Sequence, residues 1–242
     1  MELIGVAVLC VAVASVIGGA TGFGTSLIAT PFMLMAGIGL TETVVVNLVV
    51  ALVTRLGVTY QLRRHIDWPR VAVLGAASLP GAWLGVQTLG LLPEQLLAPA
   101  AGAITVLCGL AMALPASRTA RPPSRWATAA TGAISGYFST TTSLNGPPVV
   151  LLLSRAKLPP LSFIADLAGY FVVTSVLSLA MLWAGTGIDV PGLLPLLAAC
   201  TVAGVVANQL GISIAQRLPT HVFRSAVIAL VVIAGLLTIV TA

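Results

Sequence analysis

The chain has 242 residues, with eleven Lys or Arg and six Asp or Glu, so 7% are charged and the net charge is +5. Apolar residues make up 58%, the mean hydropathy is +1.10, and an ordinary soluble domain carries about 25% charged residues. So few charges cannot cover a water-facing surface, which excludes a soluble globular fold and leaves room for roughly eight membrane elements of about 20 residues.

The first uncharged stretch, 3–41, is too long for one crossing. Gly18, Gly19, Thr21, Gly22 and Gly24 break it. Irregular backbone survives at membrane depth only inside protein or beside a wet cavity. A hairpin over 3–40 that enters the bilayer and returns to the same side is therefore predicted. A helix over about 42–62 follows, interrupted only by Arg55. The next loop holds Arg63, Arg64 and His65, and Asp67-Trp68-Pro69 reads as a capped helix start, just before Arg70. Helices over about 69–91 and 95–115 meet at Glu94, and Arg118, Arg121 and Arg125 close this part.

Residues 126–154 repeat the anomaly, being too long for one span and too short for two. Their middle is polar and helix-breaking: Ser135, Gly136 and Ser139, then Thr140 through Ser143, then Asn145-Gly146-Pro147-Pro148. A second hairpin is predicted there, followed by helices over about 161–184, 191–215 and 220–241. Basic residues favour the cytoplasmic side of a membrane protein. With both hairpins returning, Arg155, Lys157, Arg217 and Arg224 join the earlier basic loops on that side, and Arg55 alone lies within the bilayer. A single crossing over 126–154 would send all four outside. Both termini are then expected outside, with Asp189 between two helices on the outer side. Trp68, Trp126 and Trp183 fall near the interfaces, where indoles settle.

The two broken segments resemble each other. Thr25-Ser26-Leu27 followed by Pro31 matches Thr142-Ser143-Leu144 followed by Pro148, and Gly19 aligns with Gly136. Gly85 and Leu92-Pro93 answer Gly211 and Leu218-Pro219, and Asp67-Trp68-Pro69 answers Asp189-Val190-Pro191. A returning hairpin adds no crossing and three helices add an odd number. The expected fold class is therefore an all-α integral membrane protein of two inverted repeats, 1–117 and 118–242. Each repeat is a broken or re-entrant hairpin plus three transmembrane helices.

Inverted repeats with interrupted helices point to a transporter substrate site. A half-helix N-terminus presents free N–H groups and a positive dipole end, which favour an anion. The candidate substrate-binding residues are Gly22, Gly24, Thr25, Ser26, Thr30, Thr140, Thr141, Thr142, Ser143, Asn145 and Gly146. Arg55 and Asp166 are ionisable residues inside apolar segments and are candidates for gating or coupling, each needing a partner or a wet cavity. Arg55 lies close enough to the cytoplasmic end to snorkel, and pairing or substrate attraction are its other readings. Asp166 sits near a helix start, where it either complements the dipole or carries a proton if burial favours its neutral form. Asn47, Asn208 and Gln209 read as interhelical hydrogen-bond partners. Cys10, Cys108 and Cys200 sit in separate apolar stretches and read as small packers. His65 and His221 fall in loops. No metal-ligand cluster or phosphate-binding loop occurs, so no cofactor is expected. Basic clusters without interleaved aromatics give no case for nucleic acid.

Gly22-Phe23-Gly24 with Pro31, and Ser135-Gly136-Tyr137-Phe138 through Asn145-Gly146-Pro147-Pro148, resemble the two signature stretches of the sulfite exporter family TauE/SafE, also called toluene-sulfonate uptake permeases. Leu62-Arg63-Arg64-His65-Ile66-Asp67-Trp68 is similar to the family's basic first loop. Residues 163–171 resemble the opening of the family's next helix, but Ile164 stands where many members carry Arg. Any anion role of that Arg is not carried over. The resemblance spans the whole chain and implies export or uptake of small sulfur oxyanions, organosulfonates or other organic anions. The expected function is a secondary transporter of such an anion, working by alternating access in the inner membrane, with proton coupling open. An anion channel is the alternative reading. An intramembrane enzyme is the weaker one, because no His lies in a spanning segment to activate a hydroxyl nucleophile.

Overall fold

The computed structural model describes residues 2–89, 91, 94–113, 123–156, 158–186, 190–215 and 220–240. Arg118, Arg121, Lys157, Asp189 and Arg217 lie outside the described residues, as do Leu92-Pro93 and Leu218-Pro219. Every regular element among the described residues is an α-helix: α1 (Glu2–Thr21), α2 (Thr25–Met35), α3 (Leu40–Leu62), α4 (Trp68–Leu89), α5 (Glu94–Ala113), α6 (Arg125–Thr141), α7 (Gly146–Arg155), α8 (Pro160–Thr186), α9 (Val190–Ala215) and α10 (Thr220–Val240).

Among the described residues, five of these helices (α1, α3, α4, α8 and α9) are long and apolar enough to cross a membrane. With 11 and 10 residues, α2 and α7 reach only about 15–17 Å at 1.5 Å per residue. They are half-helices, as the glycine and proline punctuation of both segments implies.

Burial differs from that of a soluble protein, with an apolar exterior and many polar side chains among the buried apolar ones. Large apolar side chains such as Leu9 of α1, Leu107 of α5, Val202 of α9 and Ile233 of α10 face outward, while Ser15, Thr30, Asn47, Ser139 and Thr174 are buried. Lipid accepts the apolar faces, and polar groups without water must find partners inside. The rings of Trp68, Trp126 and Trp183 are exposed near helix ends. Gln209, expected between helices, lies instead on the exposed face of α9.

At the centre α3 packs on α8; around them α4 packs on α6, α1 on α9, and α5 on α10. Exchanging α1–α5 for α6–α10 turns each of these pairings into another or into itself. Glycines permit the close approaches. A Cβ on Gly19 would sit 2.2 Å from the Asn208 carbonyl oxygen, and one on Gly136 would sit 2.2 Å from that of Ser78. Gly211 faces the Val16 carbonyl as Gly85 faces that of Tyr137. Small residues bring backbones together in this way where lipid supplies no hydrophobic drive between helices.

The two breaks are built alike, but in a register different from the one the Thr-Ser-Leu match suggests. Gly22 (φ 89°) and Ser143 (φ 58°) are the left-handed residues of the two breaks. Each stands directly after a Thr, Thr21 at the end of α1 and Thr142 capping α6, and Gly24 and Asn145 each cap the next helix. Thr21-Gly22-Phe23-Gly24 therefore corresponds to Thr142-Ser143-Leu144-Asn145, whereas Thr25-Ser26 already belong to α2. Pro31 lies within α2, while Pro147 and Pro148 open α7. The sequence match is displaced by one helical turn, a slip that leaves residues on the same face and is invisible to periodicity.

Candidate functional site

At the first break, Gly22 N–H donates to the Gly18 carbonyl (2.8 Å), and Gly24 N–H donates to Thr21 Oγ1 (3.2 Å). Thr25 Oγ1 rests against Gly18, where a Cβ would be 1.8 Å from it. Gly18 must therefore be glycine for α2 to fold back beside α1. Gly24 and Thr25 are buried; Gly22 and Ser26 are partly exposed. No N-cap side chain closes the N-terminus of α2.

The second break is buried throughout. Ser143 holds a left-handed backbone that costs a non-glycine residue about 1–2 kcal/mol. Its hydroxyl donates to the Thr142 carbonyl (2.6 Å) and bonds across to Thr30 Oγ1 of α2 (3.1 Å). Asn47 of α3 completes the junction, its Nδ2 donating to both Thr30 Oγ1 and Ser143 Oγ (3.0 Å each). Asn47 Oδ1, buried, has no partner. Phe23 of the first break lies beside Gly146 of the second, as does Phe171. The two broken segments thus meet, Phe23 resting against Gly146 while a hydroxyl pair and one amide tie Ser143 of the second break to α2 and α3.

The remaining candidates divide. Thr140 Oγ1 donates to the Ala82 carbonyl of α4 (3.2 Å), Thr141 Oγ1 to Tyr137 O (2.9 Å) and Thr142 Oγ1 to Phe138 O (3.3 Å). These three hydroxyls are taken up by backbone carbonyls, and Thr142 offers the junction its own carbonyl instead. Asn145 turns toward α6 and α8, its Nδ2 donating to Ser139 Oγ and Thr174 Oγ1 (3.3 Å each). Ser178 also bonds Ser139 (2.8 Å). Pro147 and Pro148 remove two N–H donors from the first turn of α7.

Arg55 does not snorkel. It is 4% exposed, and its Nη2 donates to the Gly18 carbonyl (3.0 Å) at the C-terminal end of α1. Asp166, on α8, is fully buried. It accepts from the Asp67 backbone N–H (2.7 Å) and pairs with the Arg70 guanidinium, which also pairs with Asp67 (2.8 Å). This cluster ties α8 to the start of α4, away from the breaks. Arg70 lines a surface pocket of about 200 Å³ with Asp67 and Arg125. Among the described residues no group of His, Cys, Asp and Glu could hold a metal ion.

Asn47 was legible in the sequence only as an interhelical partner, with no signal that it joins α2 to the second break. Arg70 went unnoticed as the partner of Asp166, because the contact links residues almost a hundred positions apart. Phe23 and Phe171 carried no polar signal at all.

Residues 7–238 match the family described as Sulfite exporter TauE/SafE. The probable sulfite/organosulfonate exporter TauE of Cupriavidus necator is 31% identical over 172 residues, which cover 68% of this chain and 66% of that protein. The match therefore spans just under two thirds of that relative's length. No solved structure gives a significant match.

Proposed function

The chain belongs to the sulfite exporter TauE/SafE family of multi-pass membrane transporters, and from that premise we propose that it is a secondary transporter of a small sulfur oxyanion or organosulfonate. The observation that carries this reading is the meeting of the two broken segments, with Phe23 against Gly146 and Thr30 of α2 joined to Ser143 and Asn47. Interrupted helices leave backbone and side-chain donors at membrane depth, and the cost of burying them unbonded is offset when an anion accepts from them.

The two halves, 1–117 and 118–242, act as inverted repeats that rock against each other about α3 and α8. The exchange symmetry of the helix pairings and the equivalent construction of the breaks support this. In the arrangement described here the donors of the junction bond each other, so the state is a closed one. Substrate takes the place of those mutual bonds when Thr30 and Ser143 separate. Alternating access then needs only that the break contact open toward one side at a time.

Purified protein in liposomes preloaded with unlabelled methanesulfonate or sulfite should take up the labelled anion by saturable counterflow. Conductance without exchange would replace the carrier by a channel, and an absence of any anion movement across the tested sulfur compounds would remove the proposal.

A further inference from the structure

The break region carries a charge that no described carboxylate balances. Arg55 is buried and bonds the Gly18 carbonyl, and among the described residues both ion pairs belong to Arg70. No described carboxylate pairs with Arg55. At each break a helix ends, contributing about −0.5 charge, and a half-helix begins, contributing about +0.5. These terms cancel within each break, so the guanidinium leaves the region at a net charge of about +1. Among the described residues no counterpart cation bonds the second break. Where Arg55 reaches Gly18, the neutral Ser178 reaches Ser139, the residue that corresponds to Gly18 in the register of the breaks.

A buried cation without a counter-ion is unfavourable in a medium that cannot solvate it. One negative charge restores neutrality there, and two overshoot it. Resting on the transport reading above, we propose that Arg55 fixes the valence of the substrate: the site takes a monovalent oxyanion, such as an organosulfonate or singly protonated sulfite, over a dianion of similar size. Arg55 does this as the counter-charge of the first break, while the Thr30–Ser143–Asn47 junction supplies neutral donors. Phe23 and Phe171, both buried beside Gly146, offer apolar surface to the organic part of a sulfonate.

Two anions of similar size and unlike charge test this: methanesulfonate, monovalent at any working pH, and sulfate, divalent. Counterflow is measured for each in liposomes holding the full chain, and again with Arg55→Lys and Arg55→Gln. The natural protein should favour methanesulfonate by at least tenfold. Arg55→Lys should keep the preference, and Arg55→Gln should bring the ratio to within about threefold of unity. Equal exchange of the two anions by the natural protein would overturn the valence rule and leave the transport reading standing. So would an Arg55→Gln protein, monodisperse in detergent, with the preference intact. Should Arg55→Gln not fold, the natural protein and Arg55→Lys still decide. Failure of the natural protein to exchange any sulfur anion would instead strike the transport reading itself.

Discussion

Replacing Asn47 with Ala separates a binding junction from structural glue. The substitution removes two hydrogen bonds of 3.0 Å, to Thr30 and Ser143. Interhelical hydrogen bonds in membranes average about 0.6 kcal/mol each, so the loss is about 1.2 kcal/mol. No donor is orphaned by it, because Ser143 still bonds the Thr142 carbonyl and Thr30. For a chain of this size such a loss lowers Tm by only about 2–4 °C. The effect on transport is larger. A hydrogen bond to a charged group contributes about 1.5–3 kcal/mol, which corresponds to roughly tenfold to 150-fold in substrate affinity. Tryptophan fluorescence during heating in detergent gives the first quantity, and the concentration dependence of counterflow gives the second. Asn47→Ala should therefore melt almost normally and show at least a tenfold weaker apparent affinity. Unchanged affinity with the small loss of Tm would refute the placement of Asn47 in the site. A fall in Tm beyond about 10 °C would show that the junction holds the fold together, contrary to the magnitudes used here.

Gly136→Ala and Gly19→Ala each force a Cβ to within 2.2 Å of a backbone carbonyl oxygen, and overpacking of this kind costs about 1–3 kcal/mol or more. Gly57→Ala has nothing within 4 Å and should be neutral or slightly stabilising, so a melting series in detergent that ranks all three alike would contradict the packing. Asp166→Asn loses its pairing with Arg70 while Arg70 keeps Asp67. Stability should fall by about 1–3 kcal/mol, below the 3–5 kcal/mol typical of a buried pair left wholly unpaired. Its pH-gradient dependence should match the natural protein, and a selective loss of pH-driven uptake would make Asp166 a proton carrier instead. Arg125→Cys and Arg155→Cys, at the two ends of the second hairpin, should react with an impermeant thiol reagent from the same face of the membrane once the native cysteines are replaced. Reaction from opposite faces would replace the hairpin by a single crossing and cancel the inversion of the halves.

The all-helical class was readable from residue types alone. Uncharged stretches of Leu, Val and Ala between Gly, Pro and charged clusters leave no alternative in lipid, where each backbone group must bond within its own helix. The two interruptions were equally legible, because Gly22-Phe23-Gly24 and Thr142 through Pro148 cannot continue a helix. Their register was not. A match on Thr-Ser-Leu and one displaced by a turn present nearly the same face, and only the left-handed backbones of Gly22 and Ser143 distinguish them.

What the sequence by itself determined is the solvent, the helices and the positions where two of them break, since these follow from local hydropathy and backbone freedom. Which hydroxyls face the opposing break was decided by tertiary structure. Thr141 bonds the Tyr137 carbonyl of its own helix and Thr140 the Ala82 carbonyl of α4, whereas Thr30 reaches Ser143 across more than a hundred residues. The partner of each membrane charge was settled in the same way, with Asp166 held by Arg70 and Arg55 turned to the end of α1. The physical reason is that hydrogen bonds and charge pairs depend on distances in space, and in a helical bundle those distances are fixed by which faces pack together.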